Sequence, residues 1–192
     1  MHMGIPTIKT ISVEEYLEME INSDIKHEYY QGEIFAMAGT SDEHNKIVGN
    51  TFGELYIQLK GKPCRPYVAD LRTAVKQNAF YTYPDISVIC GKLEKTDDKF
   101  DTATNPTVII EVLSESTKDY DRGTKFKLYR GLVHLRDYIL IDSTGKVGIE
   151  HYTLNTNAQW VLQEYNHIDL SILTPSIDVT FALGDIYAEV YN

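Results

Sequence analysis

Two carboxylates stand in runs where a carboxylate is least expected. Asp85 lies in Tyr83-Pro84-Asp85-Ile86-Ser87-Val88-Ile89-Cys90, and Glu111 lies in Thr107-Val108-Ile109-Ile110-Glu111-Val112-Leu113. Both runs are short and rich in Ile and Val. Turn formers bound them, Gly91 after the first and Asn105-Pro106 before the second, which is the pattern of buried strands rather than helices. Burying an unpaired carboxylate is costly or forces it to take a proton. If the two runs pair antiparallel around the connection between them, Asp85 falls opposite Glu111 and both point to one face of the sheet. Like charges side by side need a cation, a shared proton or a catalytic task. A hard divalent ion, Mg²⁺ or Mn²⁺, is the natural partner for such oxygens. The plainer alternative is a pair of core ion pairs with Lys or Arg.

The rest of the chain must position this pair. Its 192 residues suit one domain spanning residues 1–192, and neither a compositional shift nor an internal repeat marks a second. A formal net charge of −10 and a pI near 5.0 argue against a broad basic nucleic-acid surface, while a local basic groove stays compatible with them. No apolar run reaches the roughly 18 residues of a membrane span and no signal peptide opens the chain, so a cytoplasmic protein with no membrane partner is expected. Cys64 and Cys90 fall in no CxxC or Cys/His spacing, and reduced thiols are expected. Met1-His2-Met3 resembles an expression scar, which removes His2 from consideration.

Ser12-Val13-Glu14-Glu15 reads as a capping box opening a short helix with Val13, Tyr16, Leu17 and Met19 on its apolar side. His27 to Met37 reads as a hairpin turning at Gln31-Gly32, with Glu28 and Glu33 on its two arms. Glu33 fits an exposed strand position; spacing alone leaves Glu28 undecided. Thr40-Ser41-Asp42-Glu43 reads as a second capping box, followed by helical spacing to about Lys60. Gly49 and Gly53, one turn apart, would allow close packing at a cost of about 1 kcal/mol each. His44 falls on the buried face at the start of this helix, as a hydrogen-bonded core residue or a site residue.

Tyr67 to Gln77 reads as one strand beside the Asp85 strand, with Asp70 and Arg72 on the same face. Asp70 is then either a third acid or the partner of Arg72. The charged stretch Lys92 to Asp101 reads as part of a solvated loop. A helix from about Asp121 to Leu132 places Lys125, Leu128, Tyr129 and Leu132 on one face and Lys127 on the other. Lys125 then either pairs with Asp121 one turn away or stands beside the Asp85–Glu111 ion, where an ammonium offsets charge on a phosphoryl group. Arg122 is the nearest further cation. Tyr138 to Ile141 reads as a buried strand, Lys146 to Thr153 and Gln159 to Tyr165 as strands around an Asn155-Thr156-Asn157 turn, and Leu183 to Val190 as a short helix. Trp160 reads as packing. An aromatic surface in a chain with 14 tyrosines would suit a homodimer.

The ordered set His27-Glu28-x-x-x-Gly32-Glu33, His44 at a helix start, Pro63-Cys64, Asp70, Tyr83-Pro84-Asp85, Glu111-Val112-Leu113-Ser114-x-Ser116-Thr117, Asp121-Arg122-Gly123-x-Lys125-x-x-x-Tyr129 and Asp137 to Asp142 resembles the bacterial Uma-two family of restriction endonucleases, within the PD-(D/E)xK nuclease superfamily. The likeness runs from about Ser12 to Tyr187. It implies an α/β, restriction-endonuclease-like core with a central mixed β-sheet flanked by helices. It implies that Asp85 and Glu111 hold Mg²⁺, that Lys125 replaces the lysine which Leu113 displaces from its usual place, and that Glu28 is an early-element site acid. DNA is the implied substrate. A silent binding module of the same fold and a small-molecule metal phosphodiesterase are the alternatives from other classes.

Overall fold

The computed structural model describes residues 10–96 and 101–191, apart from the Asn78 side chain. Its centre is a six-stranded mixed sheet in the order β10-β9-β8-β7-β6-β3. The strands are β3 (Cys64–Val68), β6 (Ile86–Cys90), β7 (Val108–Leu113), β8 (Asp137–Asp142), β9 (Ile149–Leu154) and β10 (Trp160–Tyr165). Only β7 and β8 run parallel. The β6–β7 register pairs Ile86 with Ile110 and Val88 with Val108, so that Asp85, one residue before β6, comes level with Glu111 as expected.

Alternation along β7 divides the core. Val108, Ile110 and Val112 meet helix α2 (Asp42–Leu59) through Ile47, Leu55 and Leu59, and meet the terminal turn α5 (Leu183–Ile186). Ile109 and Leu113 face Phe126, Leu128, Tyr129 and Leu132 on the other side. Glu111 shares this second face by its parity. It is therefore committed to the layer that carries Lys125.

That layer is a helix in three parts, an α turn α3 (Lys118–Tyr120), a π turn (Asp121–Lys125) and an α turn α4 (Phe126–Tyr129). The buried Lys125, Leu128, Tyr129 and Leu132 and the exposed Lys127 match the expected faces; the π turn was not anticipated. A four-stranded sheet, β2-β1-β5-β4, lies beside it, built from β1 (His27–Tyr30), β2 (Glu33–Ala36), β4 (Thr73–Val75) and β5 (Phe80–Thr82). The β1–β2 hairpin turns at Gln31 and Gly32, both with positive φ (49° and 97°), which suits a two-residue turn. Glu33 is exposed, as expected. Helix α1 (Val13–Ile21) closes this sheet, with the Ser12–Glu15 capping box formed and Tyr16 and Leu17 buried. A hairpin of β11 (Ser171–Thr174) and β12 (Val179–Ala182) completes the strands described and was not expected.

Several expectations are corrected. Residues 67–77 are not one strand: a turn at residues 69–72, with Ala69 at φ 25°, sends β3 to the large sheet and β4 to the small one. Cys64 and Cys90 are not reduced thiols, because β3 and β6 set them directly opposite each other and they form a disulfide. The cap of α2 is Ser41 rather than Thr40, so His44 takes the N3 position. Among the described residues nothing lies within 4 Å of a Cβ built on Gly49 or Gly53, so neither supports a close helix contact there. Met19 on α1 is 36% exposed and is not part of its apolar side. The loop after β6 is only partly solvated: Thr102, Ala103 and Asn105 are buried, and its residues 97–100 lie outside those described. Trp160 packs edge-on against Phe126, as expected. No helix among the described residues is long and apolar enough to cross a membrane.

Candidate active site

The two sheets meet at a cleft of about 530 Å³. Its lining includes Glu28 from β1, His44 from α2, Asp85, Glu111 from β7, and Tyr120, Asp121 and Lys125 from the helix after β7. Four of the residues singled out as primary candidates, Asp85, Glu111, Lys125 and Glu28, thus converge, together with His44.

Asp85 Oδ2 accepts from the Val112 backbone N–H at 2.7 Å, and His44 Nε2 lies 3.3 Å from the same oxygen. The Val112 bond anchors the carboxylate to the strand of its partner acid. Glu111 Oε1 accepts from the Tyr129 hydroxyl at 2.7 Å and lies 3.0 Å from Lys125 Nζ, while Oε2 faces the Asp85 N–H at 3.4 Å. Lys125 Nζ also lies 3.2 Å from Glu28 Oε1 and 3.4 Å from Asp121 Oδ1. Glu28 is pinned further by the hydroxyl of Thr82, which bonds Oε1, and by that of Tyr120, which donates to Oε2 at 3.0 Å.

Burial dominates the electrostatics. It pushes the Glu111 carboxyl up to about 8, against the pull of Lys125 and with the support of Asp85 and Asp121. Asp121 is raised by burial too, again opposed by Lys125. For Lys125 burial acts downward, yet Glu111, Tyr129, Glu28 and Asp121 outweigh it and hold the amine well above its ordinary value. The ammonium is therefore a fixed charge at neutral pH. It satisfies both sequence alternatives at once, paired with Asp121 and placed beside Glu111.

Two candidates are not brought to the centre. Asp70 sits in the turn after β3, 87% exposed at its side chain, and pairs with Lys26. Nor is it the partner of Arg72, which is buried and bonds Thr102 and Tyr83. Arg122 pairs with Glu150 at 2.6 Å and does not line the cleft. Tyr120 and Thr82 are contributors that the sequence reading missed. Tyr129 had been placed on the Lys125 face without a role.

The donor set fits a hard cation of modest demands. Mg²⁺ is commonly bound through one or two carboxylates while keeping several waters. With Asp85 Oδ2 and Glu111 Oε1 engaged as described, Asp85 Oδ1 and Glu111 Oε2 are the oxygens that would hold it. Among the described residues no group of three or more His, Cys, Asp or Glu side chains is arranged to hold a metal. The lining carries five carboxylates, Glu28, Asp85, Glu111, Glu115 and Asp121, against Lys125 and His44, so it does not form the local basic groove that the overall charge left open.

Comparison with known proteins gives the family and the fold. The model of the Uma2 family, described as "Putative restriction endonuclease", matches residues 13–184. The chain belongs to this family. The uncharacterized proteins slr1290 and sll1609 of Synechocystis sp. are 38% identical over 177 residues and 35% identical over 162 residues. These matches cover 92% and 84% of this chain, and 91% of each relative. The crystal structure of a protein from Anabaena variabilis described as a "putative nuclease belonging to DUF820" superposes with a TM-score of 0.74 at 19% identity, covering 94% of this chain and 99% of that one. The fold of this Uma2 chain is thus a nuclease-like α/β fold, with the central mixed sheet flanked by helices that was expected.

Proposed function

We propose that the protein is a Mg²⁺- or Mn²⁺-dependent endonuclease that hydrolyses phosphodiester bonds in DNA. The observation that carries this reading is the convergence of Asp85, Glu111 and Lys125 in one cleft of a chain from a restriction-endonuclease family. Asp85 and Glu111 would hold the ion. When bound, the ion supplies Lewis-acid polarisation of the phosphoryl oxygen and activation of water. Lys125 places a permanent positive charge where the pentacoordinate phosphorus gathers negative charge, in a site whose burial strengthens the interaction. Water adds to phosphorus and gives up a proton, the P–O bond to the leaving oxygen breaks, and that oxygen takes up a proton in turn. His44 and the Val112 N–H fix Asp85 from behind, and Tyr129 fixes Glu111.

The acidic lining favours a second reading, a phosphodiesterase acting on smaller esters, because five carboxylates repel a long polyanion more than a short one. Cleavage assays with Mn²⁺ on plasmid DNA, short single strands and a bis-aryl phosphate separate the two. The endonuclease reading predicts nicking of plasmid and its loss in Asp85→Ala. Turnover of the bis-aryl ester with intact plasmid would assign the smaller substrate instead.

A further inference from the structure

We infer that Lys125 fills the place of a second cation, so that the cleft takes one divalent ion, on Asp85 and Glu111, while Glu28 and Asp121 serve the lysine and not the metal. The inference rests on the metal reading proposed above. Four of the five acids lining the cleft, Glu28, Asp85, Glu111 and Asp121, are the complement that a pair of ions would use, and two-metal centres are common in phosphodiester chemistry. Here the second position is occupied by the protein itself.

Nζ has three N–H groups, and three carboxylates surround it, Glu111 at 3.0 Å, Glu28 at 3.2 Å and Asp121 at 3.4 Å. The lysine side chain is 6% exposed, and those of Glu111 and Asp121 are 4% and 5% exposed. The Glu28 side chain is 11% exposed, so the cage is largely buried in the wall of the cleft, with one carboxylate for each N–H of the ammonium. Glu28 has both oxygens engaged, Oε1 by Thr82 as well as Lys125 and Oε2 by Tyr120 at 3.0 Å. Coordinating an ion through Glu28 would require breaking these bonds. Asp85 stands outside the cage, its Oδ2 taken by Val112 and His44. Glu111 alone belongs to both groups, one oxygen toward Lys125 and the other toward Asp85. It is the shared wall between a lysine compartment and an ion compartment. A further divalent ion in the lysine compartment would lie against a buried ammonium, and like charges at such range in a low-dielectric site repel strongly.

Bound Mn²⁺ counted by electron paramagnetic resonance tests this without reference to cleavage. The wild type should take one ion. Lys125→Met should take two, the second disappearing in the Lys125→Met/Glu28→Gln double variant. Glu28→Gln alone should keep one ion with its affinity changed by less than about threefold, a difference well below one decade of binding constant. Two ions on the wild type, a single ion on folded Lys125→Met, or a tenfold or greater loss of affinity in Glu28→Gln would each overturn the assignment. If Lys125→Met does not fold, the wild-type count and Glu28→Gln decide. No Mn²⁺ on folded wild type is a different failure, that of the metal reading itself.

Discussion

Glu111 sits on a buried face between a tyrosine hydroxyl, an ammonium and a second carboxylate, and its proton reports that setting. In the fold its carboxyl is raised to about 8, from 4.5 when exposed. Between those two values the folded protein keeps a proton that the unfolded chain has lost. The folded state therefore binds more protons, and stability falls as pH rises through that interval, by several kcal/mol in all. Denaturant unfolding without divalent cations should show this decline from near pH 5 to near pH 8, and Glu111→Gln should flatten it. An equally steep decline in the variant would place the titrating group elsewhere. Tyr129→Phe takes one donor from the same carboxylate and leaves its shape unchanged. It should lower the unfolding free energy by about 0.5–1.5 kcal/mol, the net worth of one hydrogen bond, because Lys125 still faces the same oxygen.

At the scale of elements, the π turn at Asp121–Lys125 explains how one helix reaches Glu28 twice. Tyr120 and Lys125 are five residues apart and both contact Glu28. A regular α-helix advances about 100° per residue and would set them about 140° apart; the wider π turn stacks them. Tyr120 escaped because the expected helix opens only at about Asp121, whereas the helical path starts at Lys118; Lys125, Leu128 and Tyr129 lie inside the expected span at three-and-four spacing. Thr82 escaped for another reason. Its run, Phe80 to Thr82, leads into the Asp85 strand in sequence but pairs with β1 in a different sheet. Helix α2 gives a separate prediction. Gly49 and Gly53 lie in a regular helix with space for a Cβ, so Gly49→Ala and Gly53→Ala should each stabilise by about 0.5–1 kcal/mol. Thermal unfolding measures this, and a loss of stability would mean that the glycines serve a contact absent from this chain alone.

On the scale of the whole molecule, the cleft exists because two sheets share a seam. The large sheet supplies Glu111 and the approach to Asp85, the small sheet supplies Glu28 and Thr82, and the helix after β7 closes the gap. The large-sheet half was legible, because paired buried runs declare their register through the chemistry of Asp85 and Glu111. The division into two sheets was not, since it turns on the break at residues 69–72, where Ala69 takes a positive φ that its residue type does not announce. Arg72 and Asp70 were misplaced by the same break. The disulfide escaped because its two cysteines are 26 residues apart and become neighbours only through the β3–β6 register. Closing a loop of that length stabilises by about 3.5 kcal/mol in the chain-entropy account, so a Cys64→Ser/Cys90→Ser variant should unfold correspondingly earlier in denaturant.

The central claim is that Asp85 and Glu111 form a metal centre, and a calorimetric titration of Mn²⁺ into the wild type and Asp85→Ala tests it most directly. The proposed metal centre predicts saturable binding by the wild type and its loss in a variant that remains folded. A folded wild type that binds no Mn²⁺, or an Asp85→Ala variant that binds it unchanged, would contradict the account.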